Sequence, residues 1–357
     1  MKSPDISIKQ DRIVYLDYLR IWATMLVILL HLASQKWDTV AVGSYERNVF
    51  LIFKNISGGC VNLFMAISGA LFLDNDRKLS LKKLFRVNIF RIITAFLFWS
   101  ALYAFDMLIS GATPMAAAQN FLQGNFHMWF LVMIVAYYLL TPVLRKITAS
   151  QQMTAYCLIL IFLAAILIPS LLECLSYFSS PGTDFVKSIV SYLRTVSNFG
   201  FCNIFLFYYL WGFYLCKFDI PKIARSVLPL ASVAGPLFRI LVSLAYCHRT
   251  GSDAVPFTFF LCDFGTVTGL IVLAKYTLPK VPFLSKPAKS VSILSKFSFG
   301  VYLSHIFIMN KLDLLGVNVL SFNPVFSVPV LLLVVLMIGY VISAILHTIP
   351  VLNKYIV

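Results

Sequence analysis

Charged residues are scarce in this 357-residue chain: Asp, Glu, Lys and Arg make up 12% of it, whereas apolar residues make up 60%. A soluble domain is usually about 45–50% apolar and about 25% charged. The shortage of charge therefore excludes a soluble enzyme, a disordered chain and a nucleic-acid-binding domain, so no nucleic acid is expected as a partner. A chain so poor in charge fits a protein that is surrounded by membrane lipid.

Motifs for metals and disulfides are also missing. The seven cysteines form no Cys-x-x-Cys pair, and the five histidines are scattered without the spacing of metal ligands. We therefore expect no metal, and we expect the cysteines to pack as small core residues. Internal repeats and low-complexity tracts are absent too, which indicates a single transmembrane domain over residues 1–357.

Long apolar segments are what the chain has in abundance. A helix needs about 20 residues (range about 17–25) to span a bilayer, and a spanning backbone has to satisfy its own hydrogen bonds. The sequence predicts an all-α polytopic membrane protein with about ten transmembrane helices, of which the fourth and the ninth are short enough to extend or re-enter. The predicted spans lie near 13–33, 48–73, 89–110, 129–144, 153–173, 199–216, 227–247, 256–276, 297–312 and 326–349.

Basic residues predict the orientation of these spans. Of the 29 Lys and Arg residues, twenty lie at the termini and in the connections on the same side, seven lie in the other connections and two lie within spans. Because Lys and Arg concentrate on the cytoplasmic side of a membrane, this bias places both termini in the cytoplasm. No small-residue cleavage site follows the first apolar run, so we expect that run to be retained as a span.

Three polar residues interrupt the first span: Asp17, Arg20 and His31. At about 100° and 1.5 Å per residue, all three share one stripe, and Arg20 and His31 lie about 16 Å apart along the axis. A charge in mid-bilayer costs about 2.5–3.5 kcal/mol on insertion scales, so such residues usually face a bundle interior or a watered cavity and serve function. The alternative is a closed Asp17–Arg20 pair with an unrelated His31 at the far membrane surface.

This pattern, Asp17-x-x-Arg20 followed by ten residues and His31, resembles the first-helix signature of the acyltransferase-3 family of membrane O-acyltransferases. The stretches SGALFL, FRVNIFRI, HMWFL and FSFGVYLSH are similar to the same family, in the same order, so the resemblance covers roughly residues 12–310. It implies a stand-alone, multi-pass O-acetyltransferase of the inner (cytoplasmic) membrane. Such an enzyme moves an acetyl or other acyl group from acetyl-CoA (acyl-CoA) to a hydroxyl of an extracytoplasmic or lipid-linked glycan.

The resemblance also implies a role for His31 as the catalytic residue. Neutral imidazole can remove the proton of an acceptor hydroxyl near pH 7, or it can carry the acyl group itself, and both routes stay open. The alternative is a hydrogen-bonding histidine at the membrane interface. Asp17 joins His31 in the catalytic set because it can orient the guanidinium of Arg20.

Basic residues near the cytoplasmic side are the candidates for donor binding, because arginine recognises phosphate with a rigid fork of donors. Arg20 and Arg91 are the first two, and Arg91 matches the arginine that begins the third helix in the family. The family usually has another basic residue three positions earlier, where this chain has Asn88, so Arg86 is the candidate substitute. Lys82 and Lys83, in the same cluster, are interpreted as an anchor on anionic lipid.

Candidates for acceptor binding lie toward the outer side. His127 and Trp129 end a connection without charge, and an aromatic face suits a pyranose ring; an interfacial aromatic belt is the alternative. Tyr302 and His305 lie in the YLSH match and would line the tunnel, with helix–helix hydrogen bonding as the alternative. The pattern specifies neither the acceptor sugar nor an oligomeric state.

A transporter or glycan exporter is the competing function. Asp17, Arg20, Arg239 and His305 would then line a substrate pathway through the membrane. Transporters often show internal repeats and interrupted helices in corresponding halves, and no repeat is evident in this sequence. The sequence therefore favours the acyltransferase.

Overall fold

The computed structural model describes residues 13–178, 203–255, 259–281 and 289–356, together with Phe185, Ser188, Ile189 and Tyr192. These residues form helices and no strand, so the prediction of an all-α polytopic membrane protein is confirmed. The main helices are α1 Val14–Gln35, α2 Tyr45–Ile56, α3 Cys60–Phe72, α4 Leu81–Ile109, α5 Pro114–Gln123, α6 Trp129–Thr148, α7 Gln151–Phe162, α8 Ile168–Phe178, α9 Ile204–Lys217, α10 Lys222–Thr250, α11 Phe260–Tyr276, α12 Lys289–Leu314, α13 Pro324–Thr348 and α14 Pro350–Tyr355.

The number of spans agrees with the prediction of about ten. Nine stretches of the described chain are long and apolar enough to cross a membrane, and the shorter apolar helix α9 matches the sixth predicted span. The predicted starts of the sixth and eighth spans, at 199 and 256, fall outside the described residues. The fourth and ninth spans extend: α6 follows α5 and a short 3-10 turn, and α12 begins at Lys289, well before the predicted 297.

The second predicted span, 48–73, is broken into α2 and α3. Gly59 between them has a φ of 76°, a left-handed conformation that glycine adopts without strain. A Cβ atom on the neighbouring Gly58 would overlap the guanidinium of Arg239 from α10. Arg239 forms an ion pair with Asp263 and donates a 3.2 Å hydrogen bond to Oδ1 of Asn55. The break therefore makes room for a buried charge pair, in which each charge compensates part of the desolvation cost of the other.

Helix α1 lies at the centre of the bundle and contacts α2, α3, α11, α12 and α13. Beside it, α3 and α9 approach backbone to backbone, because a Cβ on Gly69 would overlap the Tyr209 carbonyl and one on Gly212 would overlap that of Ala66. This packing fixes α1 against rigid neighbours, so its polar stripe faces the protein interior rather than lipid. Asp17 is 6% exposed.

Candidate active site

A cavity of about 640 Å³ opens between α1, α3, α4, α6 and α12 at the membrane face that is predicted to be cytoplasmic. Its volume falls in the range of about 300–1,000 Å³ that small-molecule sites occupy. Four basic side chains line it, namely Arg20, Arg77, Arg91 and Lys296. With Asp17 as the acidic residue of the described lining, the cavity has a positive balance and suits an anionic ligand.

Asp17 and Arg20 are joined through α12. The hydroxyl of Ser295 donates a 2.6 Å hydrogen bond to Oδ1 of Asp17, and Nη1 of Arg20 donates a 3.1 Å hydrogen bond to the Ser295 oxygen. The direct Arg20–Asp17 separation is 3.9 Å, and the Arg20 side chain is 31% exposed. Asp17 therefore orients Arg20 through Ser295, and the guanidinium still reaches the cavity.

The basic cluster at the start of α4 divides into two groups. Arg91 lines the cavity, and its buried Nε makes no hydrogen bond with any part of the chain that the structure describes. Asn88 lines the cavity as well, at the position where the family pattern has a basic residue. Arg86, Lys82 and Lys83 are exposed and contribute nothing to the cavity lining. The structure thus does not bring Arg86 together with Arg20 and Arg91.

Three histidines from separate elements meet beyond the end of this cavity that lies deepest in the helix bundle. The ring centroid of His31 on α1 lies 5.2 Å from that of His305 on α12 and 6.4 Å from that of His127. The His127 and His305 centroids are 5.0 Å apart. His127 is 2% exposed and His305 is fully buried. We call these three residues the histidine cluster.

Tyr302 connects the cavity to the histidine cluster. It lines the cavity, and its ring centroid lies 5.7 Å from that of His127 and 5.8 Å from that of His305. Its hydroxyl donates a 2.5 Å hydrogen bond to the backbone carbonyl of His127. A ligand in the cavity would therefore meet Tyr302 at the boundary with the three imidazoles.

His127 lies on the 3-10 turn Phe126–Met128 that joins α5 to α6. Nδ1 of His127 is 3.1 Å from Oδ1 of Asn125, the residue that precedes this turn. Trp129 begins α6 but points elsewhere: it is 46% exposed and its ring packs against Phe130 and Phe205. The structure thus brings His127 to the cluster and leaves Trp129 outside it.

In the described ranges, no group of three or more His, Cys, Asp or Glu residues is arranged to hold a metal ion.

Sequence reasoning missed several residues of the cavity, among them Arg77, Ser295 and Lys296. The predicted ninth span began at 297, so Ser295 and Lys296 fell just outside it and were counted as part of a loop. Arg77 lies in the connection before α4, where a 3.4 Å ion pair to Asp74 holds it. A polar pair immediately before the FSFGVYLSH stretch was the signal that could have identified the first two.

The described helices form a membrane bundle with a cationic cavity at one face and buried imidazoles beyond it. A protein of this kind can hold an anionic ligand next to groups that transfer protons. The model of the acyltransferase-3 family, described as an acyltransferase domain, matches residues 13–348. The chain therefore belongs to this family, and the resemblance in its motifs is confirmed. Membership makes it a multi-pass membrane acyltransferase.

The curated relatives are distant, and their names refer to export rather than to acyl transfer. The chain is 21% identical over 309 residues to the "probable poly-beta-1,6-N-acetyl-D-glucosamine export protein" of Staphylococcus aureus strains MSSA476 and MW2. The match covers 83% of this chain and 82% of each relative. No solved structure matches the chain.

Proposed function

We propose that this protein moves an acyl group, acetyl in the simplest case, from cytoplasmic acyl-CoA to a hydroxyl of an extracytoplasmic or lipid-linked glycan. The proposal places it in the inner (cytoplasmic) membrane, with the cationic cavity toward the cytoplasm. One observation carries it: a cavity lined by four basic residues ends at Tyr302, and Tyr302 contacts the histidine cluster.

The donor half of the proposal rests on charge. Coenzyme A carries several phosphate charges, and Arg20, Arg91 and Lys296 lie where its phosphates would enter. The pantetheine arm would then run along the apolar part of the lining, past residues such as Phe64 and Phe130, toward Tyr302. Since Arg20 and His31 lie about 16 Å apart along α1, phosphates and thioester can be held at opposite ends of one path.

The transfer step uses His31. In the base route, His31 takes the proton of the acceptor hydroxyl while the oxygen attacks the thioester carbonyl. The C–S bond breaks, and the coenzyme A thiolate takes the proton back from the imidazolium. In the covalent route, a ring nitrogen of His31 attacks the thioester carbonyl, the C–S bond breaks, and the leaving thiolate takes the ring proton to give free coenzyme A. The acceptor hydroxyl then attacks the acyl carbon, the N–C bond breaks, and the imidazole takes the hydroxyl proton.

The acceptor half rests on where the histidine cluster lies. His31 is near the end of α1 that is predicted to face outward, and His127 and His305 lie beside it. An acceptor that arrives from the outer side would meet these side chains and Tyr302 rather than the cationic cavity. A relative whose name refers to an N-acetylglucosamine polymer supports a glycan as the acceptor class.

The test is acyl transfer by purified protein. Protein in detergent or nanodiscs is incubated with acetyl-CoA, and free thiol is followed with and without a cell-envelope glycan fraction. We expect thiol release that depends on glycan, a matching mass increment on the glycan, and loss of both in His31→Gln. Failure to consume acetyl-CoA with any envelope fraction, from protein that is folded, would overturn the proposal. Mass spectrometry of surface glycans with and without the gene gives the same test in cells.

Export is a second candidate, because the curated relatives are named as export proteins and because α2 and α3 form an interrupted helix. Arg239, one of the residues expected along a transport pathway, is paired with Asp263 and does not line the cationic cavity. That separation favours the acyltransferase. Proteoliposomes distinguish the two: translocation of a labelled glycan without acyl-CoA would favour export.

A further inference from the structure

The hydrogen bond of His305 fixes where its ring proton lies. Nδ1 of His305 is 2.5 Å from the backbone carbonyl oxygen of Tyr302. A carbonyl oxygen can only accept, so Nδ1 carries the proton and Nε2 presents a lone pair. Nε2 is buried and makes no hydrogen bond with any described residue. A buried acceptor without a partner is costly, so this atom is positioned for a donor.

The neighbours of His305 leave one candidate for that donor. The Tyr302 hydroxyl already donates to the carbonyl of His127. The neutral ring of His127 has one N–H, and it faces two acceptors, Oδ1 of Asn125 and the backbone carbonyl of Leu303. The proton of His127 is therefore directed at one of these acceptors, and the proton of His305 is directed at the Tyr302 carbonyl. The neutral imidazole of His31 is the ring that can supply an N–H.

The rings of His31 and His305 are placed for this contact. Their centroids are 5.2 Å apart and the ring planes differ by 39°. At this separation a nitrogen of each ring can meet in a hydrogen bond when both nitrogens point along the line between the two centroids. Catalytic hydrogen bonds are often loose without substrate and tighten in the reacting complex.

We propose that His305 is the positioning residue for His31: its Nε2 accepts a hydrogen bond from His31 and so holds one tautomer, with the other ring nitrogen of His31 free to act. The inference rests on the proposed acyl transfer. The third group of a catalytic triad orients its histidine in the same way and stabilises the imidazolium. Here a neutral imidazole takes that place, so no carboxylate has to be buried beside the acyl group.

Two substitutions separate this role from a purely structural one. The amide of His305→Asn is placed like Nδ1 and keeps the bond to the Tyr302 carbonyl, but it leaves nothing at the Nε2 position. The amide of His305→Gln is placed like Nε2 and keeps an acceptor for His31. We expect His305→Asn to lower kcat about 10–100-fold, by analogy with the loss of a group that orients a metal-binding histidine. We expect His305→Gln to retain most of kcat, and both to keep the KM for acetyl-CoA.

His347 provides the matched control. Its Nδ1 also bonds to a backbone carbonyl, that of Ser343 at 2.8 Å, but on α13 and away from the cluster. His347→Asn and His347→Gln should leave kcat unchanged. If His305→Asn is as active as the wild type, or more active than His305→Gln, the positioning role is wrong while the proposed acyl transfer stands. If the wild type itself transfers no acyl group, the proposed function is wrong, and the positioning role, which rests on it, is wrong as well.

A measurement on the wild-type protein keeps the proposal testable even where a variant does not fold. Ring-labelled protein is studied by ¹⁵N NMR, with the His31 signals identified by their loss in His31→Gln. The proposal predicts one dominant neutral tautomer for His31. A near-equal mixture of the two tautomers would overturn it.

Discussion

Arg20 on α1 donates a hydrogen bond of 3.1 Å to Ser295 on α12, although the two residues are 275 positions apart in the chain. The same two helices carry His31 and His305, whose ring centroids are 5.2 Å apart. Helices α1 and α12 are therefore joined by a polar contact at the donor end and by two imidazoles farther along. This double contact sets how the two helices are aligned, and with it the geometry of the whole site.

Removing the Ser295 hydroxyl should weaken donor binding without stopping chemistry. In Ser295→Ala, Asp17 loses its 2.6 Å donor and Arg20 loses an acceptor, so the guanidinium is held less firmly. We expect acetyl-CoA binding to weaken by about 0.5–1.5 kcal/mol, the usual net contribution of one hydrogen bond. Isothermal titration calorimetry on protein in nanodiscs would measure it.

Ser232→Ala is the control for that measurement, because the Ser232 hydroxyl on α10 donates a local hydrogen bond of 2.6 Å to the Pro229 carbonyl. It should bind acetyl-CoA like the wild type. Equal affinity of Ser295→Ala and wild type would mean that Ser295 does not position Arg20 for donor binding.

Arg91 should matter more for donor binding than its neighbours in sequence. Arg91 lines the cavity, whereas Lys82 is exposed and outside it. Arg91→Ala should weaken acetyl-CoA binding by about 1.5–3 kcal/mol, the range for hydrogen bonds to charged groups. Lys82→Ala should change affinity far less. Small, equal effects of both substitutions would assign the whole cluster to lipid anchoring.

Gly69→Ala should destabilise the bundle. A Cβ at this position would overlap the Tyr209 carbonyl, and both backbones are held in helices that cannot separate locally. We expect a loss of about 1–3 kcal/mol, as for other overpacked interiors, measured as a lower unfolding temperature in detergent. Gly265→Ala is the control, since its Cβ would lie 3.4 Å from that of Ala231, an ordinary contact. A Gly69→Ala protein as stable as the control would contradict this account of α3–α9 packing.

The fold was predictable because lipid imposes a simple rule: each long apolar segment becomes a helix that satisfies its own backbone. Span edges were less predictable. Lys289 to Lys296 are polar enough to resemble a loop, yet they form the first turns of α12 because the cavity provides polar surroundings for Ser295 and Lys296.

The candidate site was predictable only where one helix carried it. Asp17, Arg20 and His31 lie on α1, so helical periodicity alone placed them on one stripe. The convergence of His127 and His305 on His31 depends on how α1, α6 and α12 pack, and a single sequence contains no distance between them. Arg86 illustrates the opposite case: its place in a basic cluster suggested donor binding, but its side chain is exposed outside the cavity.

His31 is the residue for which sequence and structure lead to the sharpest prediction. His31→Gln should insert and fold, because glutamine keeps hydrogen-bonding capacity at a position that is only partly buried. Donor binding should survive, since Arg20 lies about 16 Å away along α1. Acyl transfer should fall by about 10²–10⁴-fold, the contribution of a positioned general base, because an amide cannot take up a proton near neutral pH.

His248→Gln is the matched control, because His248 is exposed near the end of α10; it should leave transfer unchanged. If His31 instead carries the acyl group, the loss should be nearly complete, and a rapid denaturing quench near neutral pH, after mixing the wild type with labelled acetyl-CoA, should leave an acyl-histidine on the protein. The two routes thus differ in whether label stays on the chain before acceptor is added. Nearly normal turnover by folded His31→Gln would exclude both routes and leave His31 as a hydrogen-bonding residue at the membrane interface.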